Sequence, residues 1–178
     1  IQPWEWMKIP FEWQYRWENF ADALIVPSAW EATNIINSGL NPDRIHVVPN
    51  GFDSSIFNLE PAEPMNNIDN EAINFIFVGC PQWRKGLDLL LNAWADTFHL
   101  ADKVKLIIKD TPQIYGQNNV LNEIIKLQYK RKTAPILYID ENLSDVEMAK
   151  LYKNSTVIIH PYRAEGFGMP VQEALACG

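Results

Sequence analysis

Short apolar runs alternate with segments of helical periodicity from Ile73 onward, and this alternation restricts the fold more than any other feature of the sequence. The runs are rich in β-branched residues and nearly continuous in apolar character, which is typical of parallel strands buried on both faces. The predicted strands are Ile73–Val78, Val104–Ile108, Ile136–Ile139 and Thr156–His160.

Amphipathic helices are predicted between these strands. In Gly86–Phe98 the apolar residues recur at helical spacing and form one face, namely Leu87, Leu90, Leu91 and Trp94. The next two helices are predicted over Asn118–Lys130 and Ser144–Lys153. Strands and helices in this order, joined by right-handed crossovers, give an α/β fold with an open, doubly wound parallel sheet. The ligand crevice of such a sheet lies at the carboxyl ends of its strands.

The part of the chain before this sheet has a less regular pattern. Two strands are predicted over Ala23–Pro27 and Ile45–Val48. Between them a helix is predicted over Ala29–Ser38, with Gly39 as the residue after its C-cap. Residues 58–72 are polar and interrupted by proline, which predicts a linker.

The chain is expected to be incomplete at both ends. It begins with Ile1 rather than methionine, and it stops at Gly178 directly after a helical pattern that should lead to another strand. Residues 1–57 are predicted to be the end of one domain, and residues 73–178 a truncated second domain with a Rossmann-like sheet.

The charge and the cysteines exclude several classes of protein. The formal net charge is -7 and the sequence pI about 4.9, whereas non-specific nucleic-acid binding needs a basic face. Cys80 and Cys177 form neither a metal-binding spacing nor a disulfide framework. No apolar run is long enough to span a bilayer, and the first residues lack the regions of a secretory signal. We therefore expect a cytoplasmic protein that does not bind nucleic acid.

Tryptophan is concentrated near the amino terminus. Five of the seven tryptophans lie there, namely Trp4, Trp6, Trp13, Trp17 and Trp30. A belt at a membrane surface is one explanation, since amphipathic rings favour that interface, but the segment is short of Lys and Arg for an anionic surface. Packing over apolar surface is the favoured explanation, and peripheral membrane contact stays an alternative.

A candidate anion site lies at the start of the last predicted helix. The strand that ends at His160 is followed by a loop, and Gly166-Phe-Gly168 leads into a helix with Pro170 near its first position. The free N–H groups of such a helix start favour an anion, and glycines allow a ligand to approach closely. Glu165 and Glu173 could accept hydrogen bonds from sugar or ribose hydroxyls. Alternatively, one is a solvated loop residue and the other complements the helix dipole.

A second loop suited to phosphate follows the first strand of the sheet. It brings Arg84 and Lys85 to the carboxyl edge, just before Gly86 and the next helix. Two cations there could neutralise a diphosphate, and an arginine can bind one through two parallel hydrogen bonds. A basic pair before a helix is usually a solvated surface feature, but two such loops at one sheet edge favour a phosphate site.

Several motifs together resemble one known family. The segment from His160 to Gly178 reads His-Pro-Tyr-Arg-Ala-Glu-Gly-Phe-Gly-Met-Pro-Val-Gln-Glu-Ala-Leu-Ala-Cys-Gly. It resembles the Glu-x7-Glu signature of the retaining glycosyltransferases of family 4, which have the GT-B fold. Further matches occur in the family's order at Val26–Trp30, Ile45–Asp53 with Phe57, Arg84–Asp88 and Met148–Tyr152. The resemblance covers nearly the whole chain and implies a GT-B type α/β fold.

The resemblance also implies roles for individual residues. Lys85 and Arg84 would bind the donor diphosphate, Glu165 the sugar hydroxyls and Glu173 the ribose. The residues implied in catalysis are Lys85, Arg84 and Glu165. Backbone contacts to the donor are implied for Gly79, for Gly166, Phe167, Gly168 and Met169, and, beside the nucleobase, for Tyr138, Ile139 and Asp140. Many family members have an arginine directly after the glycine that corresponds to Gly79, where this chain has Cys80, and Arg84 is expected to supply that charge.

The activity implied by the resemblance is transfer of a sugar from a nucleoside-diphosphate sugar to an acceptor hydroxyl, with retention of configuration. No Asp-x-Asp cluster suggests a metal, and no other cofactor is implied. The donor is expected to be linked to UDP or GDP, and the acceptor to be a sugar, a lipid-linked sugar or a polysaccharide. The isolated chain is expected to be inactive, because it contains only the last part of the acceptor-side domain.

Two other functions remain open at this point. One is a nucleotide-sugar-binding half-domain without activity of its own, and the other is a different GT-B enzyme such as a nucleotide-sugar epimerase. His160 is equally compatible with a structural role and with a minor contact to the donor.

Overall fold

The computed structural model describes residues 4–69, 71–112 and 119–178, which form two compact units. The first unit extends to Gly51 and also includes Ala164–Met169, and the second comprises Phe52–Arg163 and Pro170–Gly178. No helix among the described residues is long and apolar enough to cross a membrane.

The first unit contains two helices and a two-stranded parallel sheet. Its elements in chain order are α1 (Phe11–Phe20), β1 (Leu24–Val26), α2 (Ala29–Asn37), a 3-10 turn (Pro42–Arg44) and β2 (Ile45–Val47). Leu24 pairs with Ile45 and Val26 with Val47, so both predicted strands and the helix between them are confirmed. Gly39 follows the helix with a φ of 102°, the left-handed conformation expected after a C-cap.

Helix α1 was not predicted from the sequence. Its aromatic residues Phe11, Trp13, Tyr15 and Trp17 alternate with polar ones, which is a strand-like period, and none of its residues is fully buried. Trp4 and Trp17 pack against the core of this unit, whereas Trp6, Trp13 and Trp30 are exposed, so the favoured explanation holds for two of the five tryptophans. That core consists of Ile9, Leu24, Val26, Ala32, Ile35 and Leu40.

The second unit is built on a four-stranded parallel sheet with the order β5-β4-β3-β6. Its strands are β3 (Ile73–Val78), β4 (Val104–Lys109), β5 (Ile136–Ile139) and β6 (Val157–Ile158). The predicted strands are confirmed in position, although β6 is shorter than expected. The amides of Thr156 and Ile159 still bond to β3 carbonyls, at 2.7 and 2.9 Å.

Helices cover both faces of this sheet. They are α3 (Leu87–Thr97), α4 (Val120–Arg131), α5 (Asp145–Lys153) and α6 (Met169–Cys177). Phe77 and Ile108 face one core together with residues of α3 and α4, whereas Ile76 and Ile107 face the other with residues of α5 and α6. The doubly wound parallel sheet is therefore confirmed. The predicted start of α4 at Asn118 lies outside the described residues.

The two units do not coincide with the predicted domain boundaries. Phe57 and Ile68 are each 5% exposed and belong to the core that Ile76 and Tyr152 also line. Residues 52–57, which were predicted as part of the first domain, and the predicted linker over 58–72 therefore belong to the second unit. The polar composition of this segment hides the few apolar residues that anchor it.

The strand order creates a switch point between β3 and β6. The chain passes from β3 to β4 and β5 on one side, and then returns to the opposite side of β3 as β6. The loops that leave the carboxyl ends of β3 and β6 therefore flank a crevice, which is where ligands bind in open α/β sheets.

Candidate functional site

Two loops of the second unit meet at the switch point. The loop after β3 contains a 3-10 turn over Trp83–Lys85 and ends at Gly86, which has a φ of 75°. A Cβ atom at Gly86 would lie 2.0 Å from the carbonyl oxygen of Pro161 in the loop after β6. Only glycine fits this position, because both the left-handed backbone and the close approach exclude a side chain.

Arg163 fastens these two loops together. Its guanidinium donates to both carboxylate oxygens of Asp88, at 2.7 and 2.8 Å, and to the carbonyl oxygen of Trp83 at 2.7 Å. Its backbone amide donates to the carbonyl oxygen of Arg84 at 2.8 Å. The hydrogen bond from Arg163 lowers the pKa of the Asp88 carboxyl, and the same bond raises the pKa of the guanidinium. Sequence reasoning assigned no role to Arg163.

Lys85 lies beside a stack of aromatic rings. Its Nζ atom is 5.0 Å from the centre of the Tyr162 ring. Tyr162 stacks on His160 with ring centres 4.7 Å apart, and His160 packs on Phe77 with ring centres 4.9 Å apart. His160, for which the sequence left two roles open, is thus the middle ring of this stack.

Gly79 lies close to Lys85 in the loop after β3. Its amide donates to the carbonyl oxygen of Lys109 at 2.9 Å, which continues the β3–β4 pairing beyond the strand. A Cβ atom at Gly79 would be 3.8 Å from the Phe77 ring and 3.9 Å from Cδ of Lys85. Cys80, the next residue, is buried.

A buried polar cluster lies at the carboxyl ends of β4 and β5. Lys109 and Asp110 are 3% and 1% exposed, and the Lys109 ammonium donates to the Asp110 carbonyl. The Tyr138 hydroxyl donates to the Asp110 carboxylate at 2.8 Å. Burial lowers the pKa of Lys109, an effect that the charges of Asp110 and Asp140 oppose. Tyr138, which was predicted beside a nucleobase, therefore belongs to a buried network with Lys109 and Asp110, which the sequence did not reveal. Of the other two residues predicted there, Ile139 is the last residue of β5 and Asp140 is exposed.

Glu173 lies in the first turns of α6 and is half-buried. Its carboxylate accepts a hydrogen bond of 3.0 Å from the hydroxyl of Tyr152, which is a buried residue of α5. Burial raises the pKa of Glu173, the bond from Tyr152 opposes this rise, and the charge of Asp145 adds to it. The hydrogen bond from Tyr152 therefore fixes the orientation of the Glu173 carboxylate near the start of α6.

The remaining predicted residues belong to the first unit, where the loop over Ala164–Met169 packs on the start of α2. The Ser28 hydroxyl caps α2 and donates to the Gly166 carbonyl oxygen at 2.6 Å. A Cβ atom at Gly166 would lie 3.3 Å from the Trp4 carbonyl oxygen and 3.5 Å from Oε2 of Glu31. The Gly166 amide donates to Oε1 of Glu165 at 3.2 Å.

Glu31 is a charged residue of this unit that sequence reasoning missed. It is 0% exposed, and its Oε1 atom accepts a hydrogen bond from the Trp4 amide. Burial raises the pKa of Glu31 to about 7, which the bond from Trp4 opposes and the charge of Glu5 reinforces. A serine three residues before a glutamate is typical of a helix N-cap, so the sequence indicates the start of α2 at Ser28. Only the fold shows that this turn contacts the loop at Gly166.

The predicted site residues thus fall into two groups. Those in the second unit are Gly79, Arg84, Lys85, Tyr138, Ile139, Asp140 and Glu173, and those in the first unit are Glu165, Gly166, Phe167, Gly168 and Met169. Phe167 and Met169 are half-buried, and Gly168 has a φ of 84° directly before α6 begins. Among the residues that the structure describes, no group of three or more His, Cys, Asp or Glu side chains could hold a metal ion.

Comparison with protein families gives two matches that together cover nearly the whole chain. Residues 60–178 match the family described as Glycosyl transferases group 1. Residues 1–56 match the family described as Glycosyltransferase Family 4.

Curated relatives are similar at 27–30% identity. A D-inositol 3-phosphate glycosyltransferase 1 of Catenulispora acidiphila is 29% identical over 166 residues, which cover 89% of this chain and 40% of the relative. An MMP alpha-(1->4)-mannosyltransferase of Mycolicibacterium hassiacum is 30% identical over 158 residues, which cover 88% of this chain and 35% of the relative. The chain spans about two fifths of the length of these relatives.

Solved structures of similar fold share less sequence. Anabaena Alr3699/HepE in complex with UDP and glucose matches with a TM-score of 0.68 at 19% identity, covering 93% of this chain and 45% of that protein. An E. coli protein described as trehalose-6-phosphate, bound with UDP-2-fluoro glucose, matches with a TM-score of 0.65 at 15% identity, covering 87% of this chain and 43% of that one. At these identities the likeness concerns the fold, which is the GT-B fold.

Proposed function

Because the chain belongs to the group 1 glycosyl transferases, we propose that its second unit binds the nucleoside diphosphate of a sugar donor. The observation that carries this proposal is the position of Lys85 at the switch point of the parallel sheet. Its loop is held against the loop after β6 by Gly86 and Arg163. A cation at the carboxyl edge of such a sheet is suited to the charge of a diphosphate.

The other residues of the second unit supply the remaining donor contacts. Arg84 adds a second cation to the diphosphate, and Gly79 allows the backbone to approach it. The backbone of Tyr138, Ile139 and Asp140 lies by the nucleobase. Glu173, oriented by Tyr152, accepts hydrogen bonds from the ribose hydroxyls.

The loop over Ala164–Met169 contacts the sugar. Glu165 accepts hydrogen bonds from sugar hydroxyls, and the backbone of Gly166, Phe167, Gly168 and Met169 contacts the sugar and the phosphates. The left-handed conformation of Gly168 turns the chain into the first turn of α6, where free N–H groups favour an anion.

The reaction is transfer of the sugar to an acceptor hydroxyl with retention of configuration and without a metal ion. Negative charge develops on the departing diphosphate in the transition state. Lys85, Arg84 and the positive end of α6 stabilise that charge, which is the largest contribution that such a site can make. The acceptor is a sugar, either free, lipid-linked or part of a polysaccharide.

Calorimetric titration of the chain with UDP, GDP and ADP tests the donor proposal. We expect binding of UDP or GDP, and a loss of about tenfold or more in the Lys85→Met variant, because a charge-assisted hydrogen bond contributes about 1.5–3 kcal/mol. The matched control is Lys126→Met, which alters an exposed lysine of α4 and should bind as the unchanged chain does. Absence of binding to all three diphosphates would contradict the proposal.

Product analysis tests the reaction itself. A protein that joins this chain to a complete acceptor-side domain, incubated with the donor that binds and with simple sugar acceptors, should give a glycoside whose anomeric configuration, read by NMR, matches that of the donor, whereas the isolated chain should give none. The yield should not change when EDTA is added. An inverted product or a strict need for a divalent metal would contradict the proposed mechanism, and an epimerised nucleotide sugar would favour the epimerase alternative.

A further inference from the structure

We propose that Tyr162 is a positioning residue for Lys85. The inference rests on the proposed function, because it concerns how the lysine is prepared for a diphosphate. The Lys85 ammonium lies 5.0 Å from the centre of the Tyr162 ring, which is within the range of a cation–π interaction. Tyr162 therefore attracts the group that the donor is expected to meet.

The Tyr162 ring is held in place by a stack of rings that begins in the core. Phe77 of β3 is 0% exposed and forms the base of the stack. His160 packs on Phe77, and Tyr162 stacks on His160 at an interplanar angle of 22°. Residues 160 and 162 are two positions apart, so in extended chain their side chains lie on the same side. The rings thus form a column that begins in the rigid core and ends at Lys85.

An aromatic face has two advantages as a support for this lysine. It attracts the ammonium without cancelling its charge, whereas a carboxylate at the same place would reduce the attraction for a diphosphate. It also restricts a side chain with four rotatable bonds before the ligand arrives, so less conformational entropy remains to be lost on binding. Both effects act on the phosphates of the donor and leave the nucleoside unaffected.

The contact between the two loops supports the same geometry. Gly86 approaches the Pro161 carbonyl, and Arg163 bonds to the Trp83 carbonyl, so residues on either side of Lys85 are fixed to residues on either side of Tyr162. The backbones of Lys85 and Tyr162 are therefore held close enough for the ring and the ammonium to meet.

A double-mutant cycle in calorimetric titrations tests this role. Tyr162→Leu should weaken binding of the nucleoside diphosphate about three- to tenfold and leave binding of the bare nucleoside unchanged. Tyr162→Phe keeps the ring and is the matched control, with affinity close to that of the unchanged chain. In a Lys85→Met background, Tyr162→Leu should have no further effect. Equal losses for nucleoside and diphosphate, or additive losses in the cycle, would show that Tyr162 only packs.

A second measurement separates this inference from the proposed function. After reductive methylation with labelled formaldehyde, the NMR signal of Lys85, assigned by its absence in Lys85→Met, should be shifted upfield by the ring. Tyr162→Leu should abolish the shift and Tyr162→Phe should keep it. An unshifted signal overturns the inference whatever the ligand results are. A shifted signal with no diphosphate binding overturns the donor function, and with it the positioning role.

Discussion

A single buried carboxyl group, that of Glu31, makes the stability of the first unit depend on pH. Burial raises its pKa from 4.5 to about 7, so the folded chain holds a proton on this group that the unfolded chain releases. Stabilisation from the bound proton is fully present below pH 4.5 and is lost as the pH rises through about 7. The difference corresponds to about 3 kcal/mol.

Replacing Glu31 by glutamine should remove this dependence. Between pH 5 and pH 8 the free energy of unfolding of the unchanged chain should fall by up to about 3 kcal/mol more than that of Glu31→Gln, because the amide keeps an oxygen for the Trp4 amide and cannot ionise. Urea unfolding at the two pH values measures this difference. The exposed Glu12→Gln variant serves as control, and parallel pH profiles for Glu31→Gln and the unchanged chain would refute the explanation.

The residues of the candidate site were predictable from the sequence to unequal degrees. Lys85 and Gly79 lie in one short loop, and strand–loop–helix order places that loop at the ligand edge. Tyr162 and Arg163 act on this loop from about 75 residues away in the chain, so no local pattern connects them to it. Lys109 and Glu31 look like ordinary charged residues until the fold shows that they are buried.

At the scale of elements, the pairing of Arg163 with Asp88 holds the loops after β3 and β6. Arg163→Lys should loosen the 3-10 turn, because an ammonium cannot bond to both carboxylate oxygens and the Trp83 carbonyl in the same geometry. Amide hydrogen exchange at Lys85 and Gly86, whose N–H groups close the turn, should become roughly two- to fivefold faster.

The matched control for that experiment is Arg131→Lys. Arg131 also pairs with an aspartate, Asp96, but its side chain is 49% exposed and the pair joins no part of the candidate site. Exchange in the turn should stay unchanged in this variant. If exchange at Lys85 and Gly86 is as slow in Arg163→Lys as in Arg131→Lys, Arg163 does not contribute to holding the two loops together.

Secondary structure followed from the sequence where one physical signal dominated. The strands β3 and β5 match their predicted limits because buried parallel strands are continuous apolar runs between polar turns. α1 did not follow, because aromatic residues at every second position indicate a strand, and only the fold shows that Trp17 packs against the core of the unit.

At the scale of the whole molecule, the segment before the sheet stabilises the second unit. Phe57 is 5% exposed and its ring centre lies 6.3 Å from that of Tyr152. Phe57→Ala should lower the free energy of unfolding by about 3–5 kcal/mol, since it leaves a cavity in this core. Leu59→Ala is the control, because Leu59 is 77% exposed and its change should stay within about 0.5 kcal/mol.

Denaturant unfolding followed by circular dichroism measures both variants. Equal stability of Phe57→Ala and Leu59→Ala would mean that Phe57 does not stabilise the second unit, as the predicted end of the first domain at residue 57 implies. A large difference assigns the segment to the folded second unit.

Neither unit is a single stretch of chain, since the six residues Ala164–Met169 are grouped with the first unit while their neighbours on both sides are grouped with the second. This arrangement constrains how such proteins can recombine. A gene crossover between Gly51 and Phe52 combines Ser28 from one parent with the 164–169 loop from the other. These two parts are in contact, because the Ser28 hydroxyl donates to the Gly166 carbonyl oxygen at 2.6 Å. Chimaeras made at that junction should therefore keep their function only when both parents carry compatible residues at the start of α2 and in the loop.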